Sequence, residues 1–181
     1  MTSRILLVDD EPNIISSLQR VLLEEPYEIF SAGSAEEGMK LLETIRFKVV
    51  ISDERMPGMG GAEFLSIIRN SHPETVRILL TGYASLEAAM EAVNGGEIYR
   101  FFMKPWDDLQ LILAIRSAVE RYDLEVENRR LLAIVRRQYR ELKAIEEKFP
   151  GITGIQRDED GSITLPEMSD EEMEQIRKQC G

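Results

Sequence analysis

Short apolar runs alternate along the first two thirds of the chain with longer segments in which apolar residues recur every three or four positions. The runs predict five strands, at residues 5–8, 27–31, 48–52, 77–80 and 98–102. The first, third and fourth are apolar almost throughout, as parallel strands covered on both faces are, whereas the second is short and ends in polar residues like an edge strand. Strands that alternate with helical segments in this way predict βαβ units and therefore an α/β fold around a parallel sheet.

Residues that begin and end helices stand between the predicted strands. Pro12 suits an early helical position, and Ser34 followed by Glu37 is typical of a capping box. Gly95 and Gly96 can end the helix that precedes the fifth strand. Each apolar run is therefore expected to be followed by a helix.

A single long helix is predicted after the fifth strand. From Asp107, a predicted N-cap, helical periodicity continues without proline or glycine until Pro150 and Gly151. That length is far above the mean helix of about 11 residues. The first part of the helix is predicted to pack on the sheet through Leu111, Ile115, Ala118, Val119 and Tyr122.

The second part of this helix carries an apolar stripe whose members alternate in spacing between four and three residues. Such a heptad pattern, with Asn128 at an a position that can fix register, predicts parallel coiled-coil pairing of two chains over residues 124–149. The alternative is that the stripe docks on its own domain, since Leu132, Ile134 and Tyr139 widen it beyond a strict seam. The seam consists of Leu124, Asn128, Leu131, Val135, Gln138, Leu142, Ile145 and Phe149.

The chain therefore divides into three predicted regions. Residues 1–121 form the α/β domain, residues 122–149 form the helical extension, and residues 150–181 form an acidic tail. Within the tail, residues 152–156 and 162–165 flank the polar segment 157–161 and predict a small hairpin. Ser169 begins a predicted short acidic helix.

Charge and cysteine content narrow the functional classes. With a net charge of −11 the chain lacks the basic surface that binding to nucleic acid or anionic membranes requires, so a protein partner is expected. Cys180 is the only cysteine, which excludes an intrachain disulfide. No apolar run approaches the length of a membrane span, and the first residues do not form a signal peptide. A cytoplasmic protein without membrane contact is expected.

Polar residues stand where four of the predicted strands end. Because ligands of open parallel sheets bind at the carboxyl ends of the strands, these side chains are expected to meet at one edge. Asp9, Asp10 and Asp53 would then lie so close together that a cation must separate them, and Mg²⁺ prefers carboxylate oxygens and bridges to phosphate. One carboxylate can act as a nucleophile toward phosphorus, while Thr81 donates to one phosphoryl oxygen and Lys104 pairs with another.

Four motifs carry a resemblance to a known family in their order and spacing: Val8-Asp9-Asp10-Glu11-Pro12, Asp53-Glu54-Arg55-Met56-Pro57-Gly58-Met59, Thr81-Gly82 and Lys104-Pro105. Through them, residues 4–120 resemble the receiver domain of two-component response regulators. The resemblance implies a flavodoxin-like, doubly wound sheet of five parallel strands in the order 2-1-3-4-5. It also implies a cis peptide bond before Pro105.

The same resemblance implies a role for each site residue. Asp53 is the implied phosphoacceptor, which takes a phosphoryl group from a sensor histidine kinase with Mg²⁺ as cofactor. Asp9 and Asp10 are the implied acidic pair, with Asp10 the direct metal ligand, and Arg55 lends its backbone carbonyl to the metal. The implied switch hydroxyl, switch aromatic and phosphate partner are Thr81, Phe101 and Lys104, respectively.

Departures from the family pattern are expected to tune this chemistry. Glu54 and Arg55 put charges directly after the nucleophile, where they would affect phosphorylation lifetime or kinase access. Phe101 replaces the commoner tyrosine and therefore cannot hydrogen-bond outward. Residues 94–108 also resemble a subgroup often fused to cyclic-di-GMP phosphodiesterases or transcription-activating modules.

The predicted function is a phosphorylation switch that acts through protein contacts and is not an enzyme beyond self-phosphotransfer and slow autodephosphorylation. One alternative is a phosphorelay intermediate that passes its phosphoryl group onward. A second is a DNA-binding regulator, disfavoured because the residues after Phe149 lack the length and basic charge of a DNA-reading module. A third is a pseudoreceiver scaffold, disfavoured because every phosphorylation residue is present.

Overall fold

The computed structural model describes residues 2–82, 90, 93, 98–149, 156–157 and 163–164. Strands and helices alternate along the first part of the chain as predicted. The helix end predicted at Gly95 and Gly96 lies outside the described residues. The strands are β1 (Ser3–Val8), β2 (Tyr27–Ala32), β3 (Val49–Asp53), β4 (Val76–Thr81) and β5 (Arg100–Met103), and the helices are α1 (Pro12–Val21), α2 (Ala35–Thr44), α3 (Gly61–Ser71) and α4 (Asp108–Lys148).

These strands form one parallel sheet in the order β2-β1-β3-β4-β5, which confirms the predicted doubly wound α/β fold. The pairing register aligns the carboxyl ends of the inner strands. Asp53 of β3 lies opposite Leu80 of β4, and Thr81 of β4 lies opposite Met103 of β5. Residues at or just after these strand ends therefore share one edge of the sheet.

The fifth strand begins later than predicted, at Arg100 instead of residue 98. Ile98 is buried, and the Tyr99 amide donates to the Arg77 carbonyl at 2.8 Å, so both residues share features of strand residues although neither belongs to β5. The regular ladder starts only where Arg100 pairs with Ile78. The apolar run in the sequence thus indicates which residues are buried beside the sheet, and these buried residues begin before the residues that pair.

The core lies in two layers, one on each face of the sheet. Leu6 of β1 packs with Phe64 of α3 in one layer. Ile5 of β1 packs with Leu18 of α1 and Ile115 of α4 in the other. Because successive residues of a strand point to opposite faces, a strand between two apolar layers must be apolar throughout.

Helix starts follow the predicted signals. Pro12 is the first residue of α1. The Ser34 hydroxyl accepts from the Glu37 amide at 3.2 Å, and the Glu37 carboxylate accepts from the Gly33 amide at 2.7 Å, one residue earlier than in a standard capping box. Asp107 Oδ1 accepts from a first-turn amide of α4 at 2.8 Å, which confirms it as the N-cap.

The chain separates into two compact units, residues 1–130 and 131–181, and the division falls within α4. In the first unit α4 packs on the sheet as predicted. Leu111, Ile115 and Ala118 are fully buried, and Val119 and Tyr122 lie partly buried beside them. The predicted boundaries at residues 121 and 149 stay a prediction.

The predicted seam residues of α4 are exposed in the single chain. Leu124 is 72% exposed, Val135 is 58% exposed and Leu142 is 52% exposed. Leu132 and Tyr139, which widen the stripe, are exposed as well. An apolar face of this breadth is unusual for a helix in water.

Beyond α4, the structure describes the paired part of the predicted tail hairpin. Strands β6 (Gln156–Arg157) and β7 (Ile163–Thr164) are antiparallel, so the hairpin is confirmed. Arg157 was predicted to lie in the turn, which is wrong, because it pairs with Ile163 and belongs to β6. The acidic helix predicted from Ser169 lies outside the described residues. Within the described ranges, no helix has both the length and the apolarity that crossing a bilayer demands.

Candidate functional site at the carboxyl edge of the sheet

Asp9 follows β1 and is almost fully buried, at 2% exposure. Its Oδ1 accepts from the Glu11 amide at 2.9 Å, and its Oδ2 accepts from Lys104 Nζ at 2.8 Å. Burial raises the pKa of Asp9 by more than the hydrogen bonds from Lys104 and Glu11 lower it. The fold therefore holds this carboxylate in place at an energetic cost.

Asp53 is the last residue of β3 and is also buried. Its Oδ2 accepts from the Arg55 amide at 2.8 Å, and its Oδ1 lies 2.6 Å from Lys104 Nζ. A hydrogen bond from the amide two residues on to an aspartate side chain is a local pattern that aspartate favours in turns. Both oxygens of Asp53 are thus oriented by specific donors.

Lys104 comes directly after β5, and its ammonium group bridges Asp9 and Asp53. The Lys104 amide donates to the Thr81 carbonyl at 2.8 Å, which fixes the start of the side chain. Burial alone would lower the pKa of Lys104, but the hydrogen bonds to Asp53 and Asp9 outweigh burial, and the pKa is raised. The lysine is therefore a charged group at neutral pH.

Asp10 completes an acidic cluster at this edge. One oxygen each from Asp9, Asp10 and Asp53 lies within 4.8 Å of the others, and Asp10 is the exposed member. Three ionised carboxylates against one ammonium leave an excess of negative charge, and all three offer the hard oxygen atoms that Mg²⁺ prefers. The donor set fits a divalent cation such as Mg²⁺. Magnesium at this position, and the Arg55 carbonyl as one of its ligands, stay predictions.

The two predicted switch residues lie on neighbouring strands. Thr81 is the last residue of β4 and is wholly buried, and its hydroxyl donates to the Gly82 carbonyl at 3.1 Å. Phe101 lies in β5 opposite Leu79 and is half-buried against the layer that contains α3. Thr81 is therefore at the acidic edge, and Phe101 lies on the adjacent strand, two residues before Met103, which pairs with Thr81.

The loop after Lys104 also matches expectation. The peptide bond between Lys104 and Pro105 is cis, as the family resemblance implied. Trp106 follows and packs, half-buried, against the layer that contains α1 and α4. The acidic edge is thus directly connected to the start of the long helix.

Sequence reasoning missed two structural roles beside Asp53. The Glu54 carboxylate accepts from the Ala62 amide of α3 at 3.0 Å, and burial raises the pKa of Glu54. At Gly61, the first residue of α3, a Cβ atom would lie 2.0 Å from the Asp53 carbonyl oxygen. The glycine pair that ends the loop is the one sequence signal that could have pointed to this close approach.

Residues 5–116 match the model of the response regulator receiver domain. The chain belongs to the response regulator receiver family. The receiver fold with its acidic edge is therefore the reason why the predicted motifs occur at this spacing.

Curated relatives of this receiver are longer transcriptional regulators. The hydrogenase transcriptional regulatory protein HoxA of Cupriavidus necator is 39% identical over 127 residues, which is 70% of this chain and 26% of HoxA. The transcriptional regulatory protein GlrR of Escherichia coli is 33% identical over 145 residues, which is 80% of this chain and 32% of GlrR. The chain thus spans about a quarter to a third of these relatives, and similarity over 145 of 181 residues necessarily continues past residue 116.

Solved structures show the same receiver fold. The signal receiver domain of an HD domain-containing protein from Pseudomonas fluorescens has a TM-score of 0.66 and 41% identity, covering 70% of this chain and 93% of that one. A structure described as an adenylate cyclase from Rhodopirellula baltica has a TM-score of 0.70 and 36% identity, covering 74% of this chain and 98% of that one. Both comparisons confirm the fold.

Proposed function

We propose that Asp53 is the phosphoacceptor of this receiver and that a sensor histidine kinase supplies the phosphoryl group. An Asp53 oxygen attacks the phosphorus of a phosphohistidine, the nitrogen–phosphorus bond breaks, and the imidazole leaves as a neutral ring once it takes a proton. The observation that supports this role is the bridge from Lys104 to both Asp53 and Asp9, at 2.6 Å and 2.8 Å. It places a fixed positive charge beside the attacking carboxylate.

The remaining site residues complete the arrangement. Asp10, Asp53 and the Arg55 carbonyl would hold Mg²⁺, with Asp9 oriented beside them. When bound, Mg²⁺ supplies positive charge that brings the carboxylates and the phosphoryl oxygens together. Thr81 would turn its hydroxyl from the Gly82 carbonyl toward a phosphoryl oxygen. Phe101 would then move inward on the adjacent strand and change the surface around β5.

Intact mass spectrometry of the protein with acetyl phosphate and Mg²⁺ tests this function. The wild type is expected to gain one phosphoryl group, and Asp53→Ala is expected to gain none, because the nucleophile is removed. Omitting Mg²⁺ is expected to suppress the adduct. Equal labelling of both proteins would refute Asp53 as acceptor, and an unlabelled wild type under every condition would favour the pseudoreceiver reading.

Control of transcription is the downstream output that the relatives favour. HoxA and GlrR are both transcriptional regulators, and the chain matches about a quarter to a third of each. The net charge of −11 opposes direct contact between this chain and DNA. We therefore propose that the receiver passes its signal through protein contacts.

We propose that the surface for such contacts is the exposed stripe of α4, paired with a second copy of the chain. Leu131, Val135, Leu142 and Phe149 repeat with heptad spacing and are each more than half exposed. Asn128 occupies an a position, where a buried amide specifies register at the expense of stability. Because α4 also packs on the sheet beside the acidic edge, phosphorylation is proposed to alter this pairing.

Leu142→Glu is expected to weaken self-association by about a hundredfold or more, because two apolar side chains leave the seam and about 3 kcal/mol of burial is lost. Ala144→Glu is the matched control, since it adds the same charge on the opposite face of α4, where Ala144 is exposed. Sedimentation equilibrium over a range of concentrations measures both. A monomeric wild type, or equal effects of the two substitutions, would contradict the paired seam.

A further inference from the structure

Helix α3 begins without a cap from its own N-terminal residue. The N-cap is Gly60, which has no side chain to accept a hydrogen bond. The first-turn amide of Ala62 donates instead to Glu54 Oε2 at 3.0 Å, across the loop that joins β3 to α3. A residue outside the helix therefore serves the function that serine or aspartate serves at most helix starts.

Glu54 is also held by its backbone on both sides. Its amide donates to the Leu80 carbonyl of β4 at 2.8 Å, and its carbonyl accepts from the Gly61 amide at 3.0 Å. Together with the carboxylate bond to Ala62, these contacts join Glu54 to β4 once and to α3 twice. The loop from Glu54 to Gly61 is thus closed at its base.

A single peptide group links Glu54 to the donor that contacts the Asp53 carboxylate. Arg55 follows Glu54, and its amide donates to Asp53 Oδ2 at 2.8 Å. The peptide plane that carries this amide begins at Glu54, so any rotation of Glu54 away from α3 would turn the donor away from the Asp53 carboxylate. The Glu54 side chain is thus connected to the acceptor through the Glu54–Arg55 peptide and does not need to touch it.

We propose that Glu54 is a positioning residue for phosphoryl transfer, which holds the Arg55 amide on Asp53 through its hydrogen bond to the start of α3. This inference rests on the proposed phosphorylation of Asp53. It assigns Glu54 a geometric role that differs from the tuning of lifetime or kinase access expected from the sequence. The alternative is that Glu54 acts by its charge alone, through repulsion of nearby negative groups.

Two conservative substitutions separate geometry from charge. Glu54→Gln removes the charge but keeps an oxygen that can accept from the Ala62 amide. Glu54→Asp keeps the charge but shortens the side chain by one methylene, so the oxygen no longer reaches α3. Neither change creates a cavity large enough to threaten folding, whereas Glu54→Ala would combine both losses. Glu63→Ala is the matched control, since Glu63 is an exposed carboxylate in the first turn of α3.

The measurement is the initial rate at which the Asp53 adduct forms with acetyl phosphate and Mg²⁺, followed by intact mass spectrometry. Circular dichroism verifies that each variant is folded. Glu54→Asp is expected to be at least about fivefold slower than the wild type, because small misplacements of reacting groups carry large rate penalties. Glu54→Gln and Glu63→Ala are expected to stay within about twofold of the wild type.

Two results would overturn the positioning role. One is a wild-type rate for Glu54→Asp, and the other is a rate for Glu54→Gln that falls as far as that of Glu54→Asp, because glutamine keeps the oxygen that accepts from Ala62 and loses only the charge. An unlabelled wild type would instead overturn the proposed function itself. The two failures are therefore distinct.

Discussion

Gly61→Ala is expected to destabilise the receiver by at least about 3 kcal/mol, a large share of the 5–15 kcal/mol typical of a domain. A Cβ atom at this position would lie 2.0 Å from the Asp53 carbonyl oxygen and 2.8 Å from its carbonyl carbon. Backbone atoms of a buried strand cannot rotate aside as a flexible side chain can. The start of α3 must therefore move, and the bond from the Gly61 amide to the Glu54 carbonyl must lengthen or break.

Urea unfolding followed by circular dichroism measures this loss. Gly33→Ala is the matched control, because a Cβ at that position would meet its nearest atom, the Glu37 carboxylate, at an ordinary 3.6 Å. The control is expected to change the free energy of unfolding by no more than about 0.5 kcal/mol. A Gly61→Ala protein as stable as the control would show that α3 does not approach β3 as closely as described.

Lys104→Met is expected to lower the free energy of unfolding by about 2 kcal/mol at neutral pH without Mg²⁺. Removing one partner of a buried ion pair costs about 3–5 kcal/mol, and the 21% exposure of the lysine side chain reduces that figure. Asp9 and Asp53 would be left facing each other without a cation. The rate of phosphorylation is expected to fall at least about tenfold, because the fixed charge beside the acceptor is lost.

The pH dependence of this deficit follows from the pKa shifts. The raised pKa of Lys104 means that its contribution is fully present below the pKa of an unfolded lysine, about 10.4, and is lost only as the pH rises through the folded value. On the acid side, Asp9 has a raised pKa and becomes neutral as the pH falls through it, so it no longer requires a cation. The difference between wild type and variant is therefore expected to shrink toward acid pH.

Chemical unfolding at several pH values, in buffer with a chelator, checks this expectation. Lys48→Met is the control, since Lys48 is similarly shielded, at 18% side-chain exposure, but its partner Asp123 is 55% exposed. Losing that pair is expected to cost less than about 1 kcal/mol. Equal losses in the two variants would mean that the bridge at the acidic edge contributes no more than a surface ion pair.

The convergence of the site residues could be predicted because of where they stand in the sequence. Asp53 and Thr81 end apolar runs, and Lys104 follows another, and the carboxyl ends of parallel strands meet at one edge. A parallel sheet between two layers could be predicted for the same reason, since continuously apolar runs fit strands that are covered on both faces, whereas the strand order followed from the family resemblance. Neither inference required knowledge of distances.

The contacts of the β3–α3 loop could not be predicted in this way. That Glu54 replaces the missing cap of Gly60 depends on how closely α3 approaches the end of β3, and that distance follows from packing of the whole layer. The start of β5 was misplaced because burial of Ile98 precedes pairing at Arg100. Sequence patterns predict which residues are buried, but they predict less well which atoms are in contact.

Trp106 gives the chain an optical property of its own. It is the only tryptophan, it follows the lysine of the acidic edge by two residues, and it is half-buried against the layer that contains α1 and α4. Indole emission from this protein therefore originates beside the site and not in the exposed part of α4 or in the tail. A change in fluorescence can be assigned to the site without a label, and stopped-flow mixing can time events there while the pairing of α4 is followed separately.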